Sequence, residues 1–186
     1  MNFVQRQKTE KIIKLLLTFS LLIFSIIAAI ISNNEIISIA MLCSSIGDIL
    51  IMASRGIFGT KKNKDQFIIG TLCFAIAHYG YLCALLQPQF FPLLIVEMCL
   101  VLGMITIACI NKFKTNKIIN ILYALCILIS AVNAFNFHLV AGIGYVLFII
   151  SDIILIIKED KERYWQIPIW IFYVAAQMCI LTSPLI

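Results

Sequence analysis

The sequence predicts an all-α, polytopic transmembrane bundle: seven spanning helices in a single domain over residues 1–186, N-terminus in the cytoplasm and C-terminus outside. Three observations carry this reading. The chain is 62% hydrophobic and 12% charged, where a soluble domain would carry about twice that charge. Its apolar residues fall in long runs, and a run of about 18 or more crosses the hydrocarbon core as a helix. A transmembrane barrel would show short alternating segments instead. Finally, all 14 Lys and Arg residues fall on one side of a seven-helix arrangement.

The first span, Ile12–Ile31, follows Arg6, Lys8 and Lys11 and begins around Lys14. It is longer than the apolar region of a signal peptide, has no small-residue cleavage site, and six more spans follow, so it is expected to be retained. Asn33 and Asn34 make the turn into the second span, Ile36–Ser54. A loop with Gly56, Gly59, Arg55, Lys61, Lys62 and Lys64 leads to the third span, Phe67–Leu86. Pro88 and Pro92 mark the turn into the fourth, Pro92–Ile110, and Lys112, Lys114 and Lys117 follow it. The fifth, Ile118–Phe135, closes at Asn136 before the sixth, His138–Ile157. Lys158, Lys161 and Arg163 then precede the seventh, Trp165–Thr182.

Basic loops stay in the cytoplasm. The N-terminal segment and the 2–3, 4–5 and 6–7 loops hold every Lys and Arg; the alternate loops and the C-terminus hold none. Cysteine labelling or reporter fusions are expected to place those three loops inside and the C-terminus outside. A cytoplasmic C-terminus would mean that the span count is wrong. The net charge of +5 therefore requires no nucleic-acid partner, and the lipid bilayer is the expected surroundings. All seven cysteines lie within the spans and none forms a C-x-x-C pair, which suits small apolar packing better than disulfides or metal ligation.

An ionisable group inside a span costs several kcal/mol or neutralises, so each asks for a reason. Asp48 lies in the second span, His78 in the third, Glu97 in the fourth and Asp152 in the sixth. Asp48 is six residues before Ser54 and Asp152 five before Ile157. At about 1.5 Å per residue both carboxyl groups sit roughly 8–9 Å from the basic ends of their helices. Two acids on different helices thus share one depth. Tyr173 and Gln177 share a helix face, as do His78 and Tyr81, and Tyr145 lies two turns before Asp152. Asp48, His78, Asp152, Tyr173 and Gln177 are expected to converge on one cavity toward the cytoplasmic leaflet. The plainer alternative is that each acid is a polar staple between helices. For Glu97, near the outer end of its span, that reading or snorkelling is preferred. His138, Tyr164, Trp165 and Trp170 are expected at the interfaces.

Two histidines, one at the opposite surface, do not make the three-histidine set of a catalytic zinc site, so no metal is expected. No G-x-S-x-G elbow, P-loop or dinucleotide fingerprint occurs. What remains is acid–base work by two carboxyl groups in a partly desolvated pocket, one protonated and one ionised.

Four segments together are similar to the YhhN-type family of membrane proteins, which includes the lysoplasmalogenases: SSIGDILIM (Ser44–Met52), GTLCFAIAHYGYLCAL (Gly70–Leu85), GYVLFIISDIILII (Gly144–Ile157) and FYVAAQMCIL (Phe172–Leu181). The family's Ser-x-x-Gly-Asp falls on Gly47 and Asp48, and its Gly-x-x-x-Phe-x-x-x-His-x-x-Tyr on Gly70, Phe74, His78 and Tyr81. Its Phe-x-x-Ser-Asp falls on Phe148, Ser151 and Asp152, and its Tyr-x-x-x-Gln on Tyr173 and Gln177. The chain departs in two places. The family usually has eight spans and seven are read here; Leu15 follows Lys14 where the family has Lys-Pro.

The resemblance implies hydrolysis of the vinyl-ether bond of a lysophospholipid, a lysoplasmalogen, to a fatty aldehyde and a glycerophospho-ethanolamine or -choline. It makes Asp48 and Asp152 the catalytic pair, with Lys14, His78, Tyr81, Ser151, Tyr173 and Gln177 binding or orienting the substrate. No cofactor is implied, and the expected location is the bacterial cytoplasmic membrane. Three other readings stand beside it. An intramembrane aspartyl protease would use two membrane aspartates, but Ser45-Ile46-Gly47-Asp48 lacks the first glycine of Gly-x-Gly-Asp. A proton-coupled transporter would use Asp48, His78 and Asp152 as a relay, without the broken helix pair such folds carry. A non-catalytic lipid-binding protein is the third.

Overall fold

Within a bilayer a backbone amide has no partner but its own helix. The computed structural model describes residues 3–54, 63–86, 91–110, 116–157 and 166–186, and each predicted span coincides with a helix over most of its length. Seven α-helices run in order: α1 (Phe3–Ser32), α2 (Glu35–Ser54), α3 (Lys64–Ala84), α4 (Phe91–Ile110), α5 (Asn116–Phe137), α6 (Leu139–Ile157) and α7 (Gln166–Thr182). A short 3₁₀ turn, Ser183–Leu185, ends the chain. No strand occurs among the described residues. Five helices carry apolar stretches long enough to cross a membrane, and Thr18–Ser32 and Leu139–Leu155 are shorter apolar stretches. The surfaces of the helices carry exposed Phe19, Ile30, Ile121, Leu128 and Ile171, as lipid-facing walls do. The chain is a helical membrane bundle.

The helix ends differ from the hydropathy bounds for local reasons. α1 begins at Phe3, well before Ile12, because the polar Gln5–Lys11 segment extends the helix beyond the apolar stretch. Asn33 closes α1 at φ 52°, a left-handed conformation that Asn tolerates, and the Asn34 N–H reaches back to the Ala29 carbonyl at 3.0 Å. α3 starts at Lys64, capped by the Asn63 side chain accepting from the Asp65 N–H at 2.9 Å. His138 is not part of α6 but its cap: Nδ1 accepts from the Val140 N–H at 3.3 Å. The expected loop residues Gly56, Gly59 and Pro88 and the anchors Tyr164 and Trp165 lie outside the described residues. Trp170 packs against Tyr173, ring centroids 5.5 Å apart.

Neighbouring helices follow one another around a ring α1–α2–α3–α5–α6–α7, closed by α7 against α1, with α4 laid across α3 and α5 from outside. The tightest joints are set by glycine. A Cβ on Gly47 would lie 2.8 Å from Phe74 Cδ2 and 3.1 Å from the Gly70 carbonyl; one on Gly70 would lie 2.8 Å from Ile51 Cγ1 and 3.1 Å from the Gly47 carbonyl. Small residues let two membrane helices approach this closely. Gly144 does the same for α6 against the Ala176 carbonyl of α7. The result is two close pairs, α2–α3 and α6–α7, whose backbones do not approach one another as closely. Large side chains span the space between the pairs.

Candidate functional site

Tight backbone pairing at Gly47 and Gly70 turns the next residue, Asp48, into the ring. Its side chain is 8% exposed, and Oδ2 accepts from the Tyr173 hydroxyl of α7 at 2.7 Å. Asp152 on α6 is half-buried, and its Oδ2 accepts from the Tyr123 hydroxyl of α5 at 2.9 Å. The two acids are thus held alike, each by a phenol from another helix. Tyr123 and Tyr173 each sit seven residues from the basic-end start of their helices, Asn116 and Gln166. At about 1.5 Å per residue that is roughly 10 Å, the depth of the acids. Tyr123 is also within electrostatic reach of Asp48 and of Tyr173.

Aromatic rings join the two pairs. Phe148 lies at the centre, with centroids 4.7 Å from His78, 5.6 Å from Tyr173 and 6.1 Å from Phe74. The His78 ring is 5.9 Å from Tyr123 and 5.5 Å from Tyr145. His78 is fully buried. Its Nδ1 is 3.4 Å from the Tyr145 hydroxyl, and its Nε2 has no hydrogen-bond partner. A buried orphan nitrogen of this kind costs about 1–3 kcal/mol, so His78 presents an unused polar group among the rings of Phe148, Tyr123 and Tyr145.

One step further from the basic end, the Tyr81 hydroxyl donates to Gln177 Oε1 at 2.9 Å and lies 3.2 Å from the Met41 sulfur. Gln177 Nε2 donates to Ser44 Oγ at 3.3 Å. This network orients Gln177 and completes the polar lining on α2, α3 and α7. The Ser151 hydroxyl donates to the Phe148 carbonyl of its own helix at 2.9 Å and also lies beside the Asp152 carboxyl group. Lys14 falls on α1, and its side chain lies outside the described residues.

The structure therefore joins Asp48 with Tyr173, and Tyr81 with Gln177. It places His78 among the rings of Phe148, Tyr123, Tyr145 and Tyr81. Tyr123 is the residue the sequence reading missed. Its depth was available as a signal, two turns into the fifth helix; its direction was not. Glu97 is fully buried and not snorkelling: the Ser130 hydroxyl of α5 lies 3.0 and 3.1 Å from its two oxygens. The packing-seam alternative describes it.

Among the described residues no group of three or more His, Cys, Asp and Glu side chains is arranged to hold a metal. Chemically, the site offers two carboxyl groups at one depth, each accepting a tyrosine hydroxyl at Oδ2, in a lining of aromatic edges. Such a pair can give a proton to a substrate and take one from water. The chain matches the YhhN family model over residues 9–184, nearly its whole length. No curated protein and no solved structure matches it.

Proposed function

This chain belongs to the YhhN family, and from that premise we propose that it is a lysoplasmalogenase-like ether hydrolase of the bacterial cytoplasmic membrane. The observation that carries the proposal is the pair of carboxyl groups, Asp48 and Asp152, each gripped at Oδ2 by a tyrosine hydroxyl at one level of the bundle. That level suits a lipid. Head-group layers add roughly 5–7 Å on each side of the hydrocarbon core. A lysolipid whose phosphate stays at the basic surface therefore brings its sn-1 linkage close to the acids. Its chain then runs on past Phe148 and His78.

A vinyl ether is hydrolysed by protonation at the carbon beyond the C=C bond's ether carbon, which leaves an oxocarbenium ion. One carboxylic acid delivers that proton. The other, as carboxylate, stabilises the cation and takes a proton from the water that attacks it. The hemiacetal so formed collapses to a fatty aldehyde and the glycerophospho-alcohol. Glycosidases divide the same work between two carboxyl groups. In this scheme Tyr123 and Tyr173 hold the acids, His78 and the Tyr81–Gln177 network orient the lipid, and the basic loops with Lys14 meet the phosphate.

The test is direct. Purified protein given a defined lysoplasmalogen in detergent is expected to release the free aldehyde, read by mass spectrometry. The saturated alkyl-ether analogue has no double bond to protonate and is expected to remain intact. A folded protein that releases no aldehyde from ethanolamine or choline lysoplasmalogens would overturn the proposal.

A further inference from the structure

Away from the two aspartates, α4 carries one polar side chain into the bundle. Glu97 is fully buried, while its neighbours on α4, such as Ile95, Val96 and Met98, are exposed. Ser130 is equally buried. Its hydroxyl lies 3.0 Å from Glu97 Oε1, 3.1 Å from Oε2 and 3.3 Å from the His78 carbonyl oxygen. Three acceptor oxygens surround one hydroxyl, and a hydroxyl carries one proton. With an ionised Glu97 the cluster would hold, in hydrocarbon, a charge with no cationic partner among the described residues, which costs several kcal/mol. The titratable groups around Glu97 and Ser130 are Tyr79 and Cys83 on α3, Cys126 on α5 and Tyr145 on α6, with the His78 ring beyond Tyr145; among the described residues no Lys or Arg faces them. The described lysines, Lys64 and Lys117, are exposed at the opposite end of the bundle.

We infer that Glu97 is a proton-binding site, and that the bound proton latches α4 onto α5 and α3. With that proton in place every contact is satisfied in one direction. Glu97 donates to Ser130 Oγ, and Ser130 donates to the His78 carbonyl. The chain fastens the outer helix to the residue whose ring packs against Phe148 and Tyr123. It does not depend on the hydrolase reading.

The consequence is a proton linkage. The folded state holds a proton that an unfolded glutamate, with its ordinary value of about 4.3, releases. Stability contributed by the latch is then present at low pH and falls as pH rises. Glu97→Gln keeps a donor and an acceptor at the same place without a titrating proton. Thermal unfolding in detergent is expected to show a wild-type Tm that falls with pH above about pH 5. The Glu97→Gln variant should match wild type at the acid end and be flatter beyond it. Glu97→Ala and Ser130→Ala should be less stable throughout. Infrared difference spectra of wild type against Glu97→Gln at neutral pH should contain the carbonyl stretch of one protonated carboxylic acid, displaced in Ser130→Ala. A difference spectrum with only carboxylate bands would overturn the inference. So would a wild-type Tm that rises with sodium at fixed pH and loses that response in Glu97→Gln, which would put a metal ion in place of the proton.

Discussion

Asp48→Asn and Asp152→Asn are each expected to reduce aldehyde release by about 10²–10⁴-fold while leaving the protein folded in detergent. Asparagine has nearly the shape of aspartate and still accepts a hydrogen bond through its amide oxygen, so the Tyr173 and Tyr123 hydroxyls keep an acceptor and the helices keep their packing. What disappears is the exchangeable proton in one variant and the cation-stabilising carboxylate in the other. Because the two groups act on one reaction in sequence, the double variant should be little worse than either single one. The pH–rate profile of the wild type should be bell-shaped, with values that belong to the pair. Tyr123→Phe and Tyr173→Phe remove only the hydroxyl that holds each acid. Hydrogen bonds to charged groups contribute about 1.5–3 kcal/mol, so a loss in kcat of roughly tenfold or more is expected, with KM changed little. Near-wild-type turnover in either Asn variant would remove the two-carboxylate mechanism.

Gly47→Val is expected to destabilise the bundle and to disable the site together. The new Cβ would stand 2.8 Å from the Phe74 ring and 3.1 Å from the backbone oxygen of Gly70. The ring can give way only into Phe148 and Tyr173, whose centroids lie 6.1 and 6.2 Å from its own, and the carbonyl cannot give way at all. Overpacking of this kind costs about 1–3 kcal/mol and sometimes more. α2 and α3 must separate or turn, and Asp48, the next residue, turns with them. Tm and activity should therefore fall together, unlike in the Asn variants. Gly70→Val strikes the same joint from the other side, so the two losses should not add. Gly103→Ala is the control. A Cβ there meets nothing within 4 Å, and replacing a mid-helix glycine should be neutral or stabilising by roughly 0.5–1 kcal/mol. A Gly47→Val variant with wild-type Tm would show that α2 and α3 do not depend on this contact.

The proposed location of the acids and the family resemblance came from separate properties of the chain. The depth of Asp48 and Asp152 follows from counting residues to a helix end, which needs no tertiary knowledge. The same count applied to Tyr123 would have placed it at that depth, but nothing in the fifth span distinguishes a tyrosine facing the ring from one facing lipid. Tyr145 shows the limit from the other side. It shares a face with Asp152 along α6, yet its hydroxyl meets His78 and not the acid. Glu97, read as a residue that snorkels or lines a seam, proved to be fully enclosed, because α4 lies outside the ring with one face against α3 and α5.

The sequence by itself determined the seven helices, the expected separation of basic and neutral ends, and the position of each polar group along its helix. All three follow from the thickness of the hydrocarbon core and a rise of about 1.5 Å per residue, and both act along a single helix. Only the tertiary structure decided which tyrosine holds which aspartate, that His78 keeps an unpartnered nitrogen among the rings, and that Glu97 and Ser130 close on the His78 carbonyl. Those depend on the rotation of each helix about its axis and on its choice of neighbour. In a chain whose helices are apolar on nearly every face, hydrophobicity does not set that rotation. It is set by close backbone contacts such as Gly47 on Gly70 and by the few polar side chains that must find one another out of reach of water.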